Sequence, residues 1–168
     1  ALTIVFSLAG CGGGGSGADS IVPVDSVTVD VNNPDGQAVI DYFKAAGLFN
    51  EDGGMEIWSQ NHEEYWPETP VKECVGWWHP EDETKPYMMI LLFDDSLADS
   101  SKEDYDEWLN YIRENKALTE EYTALRIDHL VGNIAFAYSE LTLDDEDLAK
   151  IEAAYEQFIE DTGATPEF

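Results

Sequence analysis

The strongest apolar pattern in the chain is YMMILLF, Tyr87–Phe93, a run with no polar break. A short run that is apolar at every position predicts a central strand buried on both faces. Before it, SVTVDV (Ser26–Val31) alternates apolar with polar at period two, which predicts a short strand. NNPDG (Asn32–Gly36) reads as a turn, with Asp35 placed to cap the helix that follows. In that helix Ala38, Val39, Tyr42, Phe43 and Ala46 fall on one face, and Gly47 stops it. From Glu51 to Tyr87 the pattern is broken by Pro67, Pro70, Pro80 and Pro86. The two short apolar runs there, MEIW and ECVGWW, predict two short strands with irregular connections.

Beyond the central strand, a helix is expected from about Ser101. Ser101-Lys-Glu-Asp104 is a near capping box, with Asp where Glu or Gln is usual. Tyr105, Trp108, Leu109 and Ile112 recur at i, i+3, i+4 and i+7, a stripe that faces a core. In YTALRIDHLVGNIAFAYSEL, a two-residue type II′ turn at Gly132-Asn133 sets a hairpin register. Val131 then faces Ile134, His129 faces Phe136 and Ile127 faces Tyr138, all on a large apolar face. Ala124, Arg126, Asp128, Ala135, Ala137 and Ser139 make up a small or polar face, as in a sheet with one buried side. The last element opens on the acids of LDDED, suited to a helix N-terminus. It carries Leu148, Ile151, Tyr155, Phe158 and Ile159 as its buried stripe, and Gly163 ends it.

From Tyr87 onward the order is therefore strand, helix, strand, strand, helix. The expected fold is α+β, a single antiparallel or mixed sheet with helices on one face. It follows a ferredoxin-like half-pattern in which an earlier strand stands where a final one is missing. No internal repeat or second apolar block suggests another domain, so residues 24–168 are expected to form one globular α+β domain.

The segment ahead of that domain has a different character. Residues 1–9 are apolar apart from Thr3 and Ser7. That is the length of a signal-peptide core and well short of the about 20 apolar residues a membrane span needs. Neither a charged leading segment nor an initiator Met precedes it, so the sequence is expected to lack its natural start. Leu8-Ala9-Gly10-Cys11 resembles the lipobox of bacterial lipoproteins: a Leu, two small residues and an obligatory Cys. The resemblance covers those four residues and leaves the domain behind them unassigned. It implies a signal peptide over residues 1–10, cleavage before Cys11, and a diacylglycerol on the Cys11 thiol. The small residues admit the backbone to the peptidase. GGGGSG follows at once, and Gly, Ser, Ala and Asp dominate to about Pro23. Residues 11–23 are therefore expected to form a flexible tether, with a reach of roughly 15 Å for seven residues. Two or more acyl chains give stable anchoring, at about 0.8 kcal/mol per buried CH₂. The expected localisation is extracytoplasmic, at the bacterial cell membrane.

Charge narrows the partners. The chain has 36 acidic residues against 8 basic ones, a net charge of −28, and no Lys or Arg before Lys44. Such a field repels nucleic acid and anionic lipid surfaces and attracts cations, cationic peptides and basic proteins. It also serves solubility alone. Hydrophobic residues at 43% and aromatics at 12% leave enough apolar material for a core. The two cysteines are Cys11 and Cys74. With Cys11 lipidated, Cys74 has no intrachain partner, and its setting (VKECVGWW) suits an inert buried thiol.

Catalytic and metal motifs are not evident. DVNNPDGQAVID (Asp30–Asp41) approaches a calcium loop, with Asp30, Asn32 and Asp41 at ligand positions. However, Asp35 stands where the bend needs Gly, and Pro34 blocks a ligand position. The acids from Asp94 to Glu107 read as a solvated face. His62, His79 and His129 show no i, i+4 pairing, and His129 is expected to be a hydrogen-bonded core residue. No nucleophile elbow, phosphate loop or zinc spacing occurs, so no cofactor and no catalytic residue is assigned. A two-carboxylate hydrolase finds no support in a chain so rich in acids.

The informative cluster is aromatic. Trp58, Tyr65, Trp66, Trp77, Trp78 and Tyr87 are interleaved with His62, His79 and other polar residues, and four of the five tryptophans lie here. Flat rings beside carboxylates and amides suit a sugar-binding surface or a protein-binding hot spot; they equally cap one end of a core. Candidate contact residues are therefore Trp58, His62, Tyr65, Trp66, Trp77, Trp78 and His79. The expected function is a membrane-anchored, non-catalytic binding domain for another protein. Glycan or small-molecule binding through residues 58–87 is the alternative, with a hydrolase behind both.

Overall fold

The computed structural model describes residues 27–66, 69–82, 87–97, 102–117, 126–138 and 145–168. The lipobox, the tether and the expected cap at Ser101 lie outside them. The central strand is Met88–Phe93 (β3), and every residue of it is buried. On one side it pairs with Val71–Trp78 (β2), which pairs in turn with Glu56–Asn61 (β1). On the other side it pairs with Ile134–Tyr138 (β5), which pairs with His129–Val131 (β4). The result is a five-stranded sheet of order β1-β2-β3-β5-β4 with every neighbour antiparallel. β5 lies between β3 and β4, and β2 fills the place beside β3 that a final strand would take. That is the strand arrangement of the half-pattern.

The hairpin is pinned at its turn. Gly132 has a φ of 55° while Asn133 is not left-handed, the backbone a type II′ turn requires. Val131 pairs with Ile134 and His129 with Phe136, as read from the sequence. Ile127 is not in the ladder. Its N–H donates to the Lys116 carbonyl instead, so the hairpin is one pair shorter than expected.

Helices cover both faces. Gly36–Ala45 (α1) and Asp145–Thr162 (α4) pack on one face, where Val75, Trp77, Ile90, Leu92, Phe136 and Tyr138 meet them. Lys102–Asn115 (α3) packs on the other face through Tyr105, Leu109 and Ile112. The expectation of helices on one face accounts for α1 and α4. The third helix is across the sheet because the alternate positions Met89, Leu91, Phe93, Ala135 and Ala137 are apolar too and need a cover of their own. The small side chains of Ala135 and Ala137 mark close packing there, not solvent.

The α1 side is an aromatic core. Phe43, Phe136 and Phe158 are fully buried and in mutual contact, with ring centroids 5.5 to 6.1 Å apart. Each such ring is worth about 1.5–3 kcal/mol relative to exposure. α1 starts at Asp35, whose carboxylate accepts from the Ala38 N–H at 3.0 Å. Glu73 of β2 accepts from the Gly36 N–H at 3.1 Å, and Lys72 donates to the Pro34 carbonyl at 2.8 Å. A Cβ at Gly36 would occupy the space of the Glu73 carboxyl. The loop ahead of α1 is therefore fastened to β2.

The expected strand at Ser26–Val31 is not formed by its described residues. Asp30 bends the chain by accepting from the Asn32 N–H, and Val31–Asn33 form a turn. Val31 contributes one backbone acceptor, to Asn133 N–H at 2.8 Å, and Val29 is buried. Asx-turn chemistry outweighs the period-two pattern.

Candidate functional site

The aromatic segment divides between the two faces. Trp77 points to the α1 side, where it is buried, stacks on Phe49 at 6.1 Å and donates from Nε1 to the Asn50 carbonyl at 2.7 Å. It is a core residue. Trp58 lies on the α3 side, partly buried, directly over Gly76 of the neighbouring strand. A Cβ at position 76 would run into the indole, so glycine is what lets this ring lie against the backbone. Trp66 and Tyr87 pack on the same side. Burial pushes the Tyr87 phenol up to about 12, with the nearby Cys74 adding to it.

Trp78 closes β2 on that face, two positions beyond Gly76. It pairs with Glu56, and the ladder brings Tyr87 level with it. Tyr65 and Trp78 are the exposed large hydrophobics among the described residues, at 50% and 38%. Tyr65 ends the four-residue turn His62–Tyr65 (α2), which Asn61 caps by accepting from the Glu64 N–H. His62 faces inward to the Val71 carbonyl at 2.9 Å and fastens that turn to β2. His79 is set against Gly54, and its Nδ1 accepts from the Glu81 N–H at 3.2 Å. The candidates therefore separate into anchors (Trp77, His62, His79), a half-covered platform (Trp58, Trp66) and exposed tips (Tyr65, Trp78). Cys11 lies outside the described residues.

The platform borders strand β1, which has β2 on one side and, among the described residues, no strand on the other. Exposed acids surround it: Glu51, Asp52 and Glu56 at its start, Glu63 and Glu64 at its end, and Glu81 beyond β2. Among the described residues, the cation beside this edge, Lys72, is engaged with the Pro34 carbonyl. This end of the molecule is thus aromatic and anionic, a surface for apolar groups that carry positive charge.

Sequence reasoning did not foresee a second cluster of polar groups. His129 stacks face to face on Tyr155, with centroids 3.9 Å apart, as a core histidine would. Its Nε2 lies 3.2 Å from the Tyr138 hydroxyl and 3.5 Å from Glu152, and the Tyr138 hydroxyl donates to Glu152. Burial, with Glu152 adding to it, pushes the Tyr155 phenol up to about 12. The one clue in sequence was Glu152 beside Ile151 in the stripe of α4, three residues before Tyr155. The cluster joins the sheet edge to α4. Elsewhere, an open depression of about 550 Å³ is lined by Ala46, Leu48, Lys150, Ala153 and Asp161 among others, beside the contact of Tyr42 in α1 with Asp161 in α4.

Among the described residues, no group of three or more His, Cys, Asp or Glu side chains could hold a metal ion. None of their helices is long and apolar enough to cross a membrane. No protein-family model, no curated protein and no solved structure matches the chain.

Proposed function

We propose that the chain is the extracytoplasmic domain of a lipid-anchored bacterial protein, tethered through Cys11, and that it works by binding another protein without catalysis. The observation that carries the binding reading is the aromatic and acidic end of the sheet. Trp78 and Tyr65 are exposed there beside β1, which no described strand covers on its outer side, while the remaining described large apolar side chains are buried or partly covered. Exposed aromatics that rim a sheet edge are the residue types that dominate binding energy at protein interfaces. The anchor rests on LAGC and the glycine ribbon behind it.

Two experiments test this reading. Intact mass of the protein from membranes of its native host is expected to show Cys11 as first residue, carrying two or three acyl chains. An unmodified chain that keeps residues 1–10 in the soluble fraction overturns the anchor. For binding, a pulldown from membrane extracts is expected to recover a protein with the natural chain and to lose it with Trp78→Ala combined with Tyr65→Ala. Recovery that does not change removes this end as the contact surface.

Glycan binding is the second reading, favoured by the partly buried Trp58 indole held against Gly76. Its check is intrinsic tryptophan fluorescence against cell-wall and plant oligosaccharides, where a flat response to all of them sinks it.

A further inference from the structure

The two edges of the sheet are treated differently by the fold. At the β4 edge, the Glu167 N–H donates to the Leu130 carbonyl at 2.7 Å. Arg113 holds the Glu167 carboxylate with two nitrogens, and the Lys116 ammonium sits 2.8 Å from the centroid of the Phe168 ring. The segment after α4 therefore crosses β4 and fastens to the end of α3. This edge is three residues long and is covered by the chain itself.

The β1 edge has none of this. Its six residues, EIWSQN, pair with β2 without a bulge from Glu56↔Trp78 to Asn61↔Glu73. Among the described residues no backbone group bonds to its outer side. Edge strands are ordinarily blunted by Lys, Pro, bulges or very short length. β1 has no Lys, Pro or bulge, and runs about 20 Å at the usual rise per residue. Side chains wait on both faces for a neighbour: Trp58 on the α3 side and Ile57 on the α1 side, both partly buried.

We propose that β1 is a docking edge that takes an extended, Lys/Arg-bearing segment of a partner protein as a sixth strand. The inference rests on the protein-binding reading above and specifies its geometry and its chemistry. Backbone hydrogen bonds to the open edge supply affinity, and alternate side chains landing beside Trp58 and Ile57 supply fit. Charge selects the occupant. The exposed acids Glu51, Asp52 and Glu56 at one end and Glu63 and Glu64 at the other meet both ends of an added strand. A second copy of this chain brings a net charge of −28 against the same charge, so self-pairing is opposed. A basic segment gains from both ends, and a neutral glycan gains from neither.

The test uses the full chain and synthetic peptides as probes, with affinity measured by calorimetry. An alternating Lys-Val octapeptide is expected to bind. Its fully N-methylated form, of equal charge but without N–H donors, is expected to bind at least about tenfold more weakly. Binding should also weaken about tenfold on raising salt to several times physiological strength, as surface charge pairs are screened. The doubly substituted Glu63→Lys, Glu64→Lys chain keeps the fold, since both residues are exposed, and should lose several-fold in affinity. Equal binding of the methylated and unmethylated peptides overturns strand addition in favour of charge attraction alone. No binding of either peptide overturns the proposal as well, whereas the protein-binding reading stands or falls on the pulldown. A dimer in sedimentation that the Lys-Val peptide dissolves overturns the choice of occupant, because a second copy would then hold the edge.

Discussion

Gly76 carries more of the architecture than its size suggests. The Trp58 ring occupies the volume a side chain there would need, so Gly76→Ala forces the indole off the sheet. The expected cost is about 1–3 kcal/mol by denaturant unfolding, the range for overpacking. A shift of tryptophan emission should accompany it, and unchanged stability and emission would show the ring is not seated there. Cys74 is the opposite case, a side chain with no room to react. It is fully buried on the α3 side, and burial pushes its thiol far above the ordinary range, with Glu73 adding to it. A thiol reagent at neutral pH should therefore label it only on unfolding, and rapid labelling mapped to Cys74 in the native chain would place the sulfur elsewhere. His129 and Glu152 join strand and helix through side chains alone. Glu152→Ala leaves the Tyr138 hydroxyl and His129 partnered with each other beneath α4 and should cost about 0.5–1.5 kcal/mol by denaturant unfolding, the range for one hydrogen bond.

At the scale of elements, α1 depends on its start. Asp35→Ala removes the acceptor of the Ala38 N–H while Glu73 still holds the Gly36 N–H, and should cost about 1 kcal/mol, read by thermal or denaturant unfolding. The segment after α4 depends on pH. Hydrogen bonding and charge from Arg113 hold the Glu167 carboxyl below its ordinary value of 4.5. The unfolded chain thus takes up a proton more readily than the folded one. The contribution is present in full above pH 4.5 and fades as pH falls through the lower folded value. Comparing the natural chain with Arg113→Met, the stability difference should be at most about 1 kcal/mol at neutral pH and should close in acid. A difference that persists at the lowest pH would assign it to packing of the Arg113 stem.

Helices and central strands were the legible part of the sequence, because burial there is periodic: the stripe of α3, the run of β3, and the register set by Gly132-Asn133. What escaped was relational. Ala135 and Ala137 read as a solvent-facing row, since small side chains do not announce the helix that covers them. Val27–Val31 alternated like a strand but had no ladder to join. Trp77 and Trp78 were read together although adjacent strand residues must face opposite sides, and only the pairing with β1 tells which one goes inward. Of the candidate site, the rings were visible and the open edge beside them was not, because an edge is defined by what is missing next to it.

For the whole molecule, a charge of −28 on 168 residues means that the folded state holds like charges closer than the unfolded chain does. Added sodium chloride should accordingly raise the melting temperature, with the steepest gain at low ionic strength, where the screening length is longest. A melting temperature that does not respond to salt would mean that counter-charges are already paired on the surface. The closure of β4 by the residues after α4 has a further consequence, for stoichiometry. A sheet with two free edges can pass strand pairing from one molecule to the next and grow into a filament. With one side already occupied from within, each molecule has a single valence for that kind of bond, so an assembly built through β1 terminates at a pair.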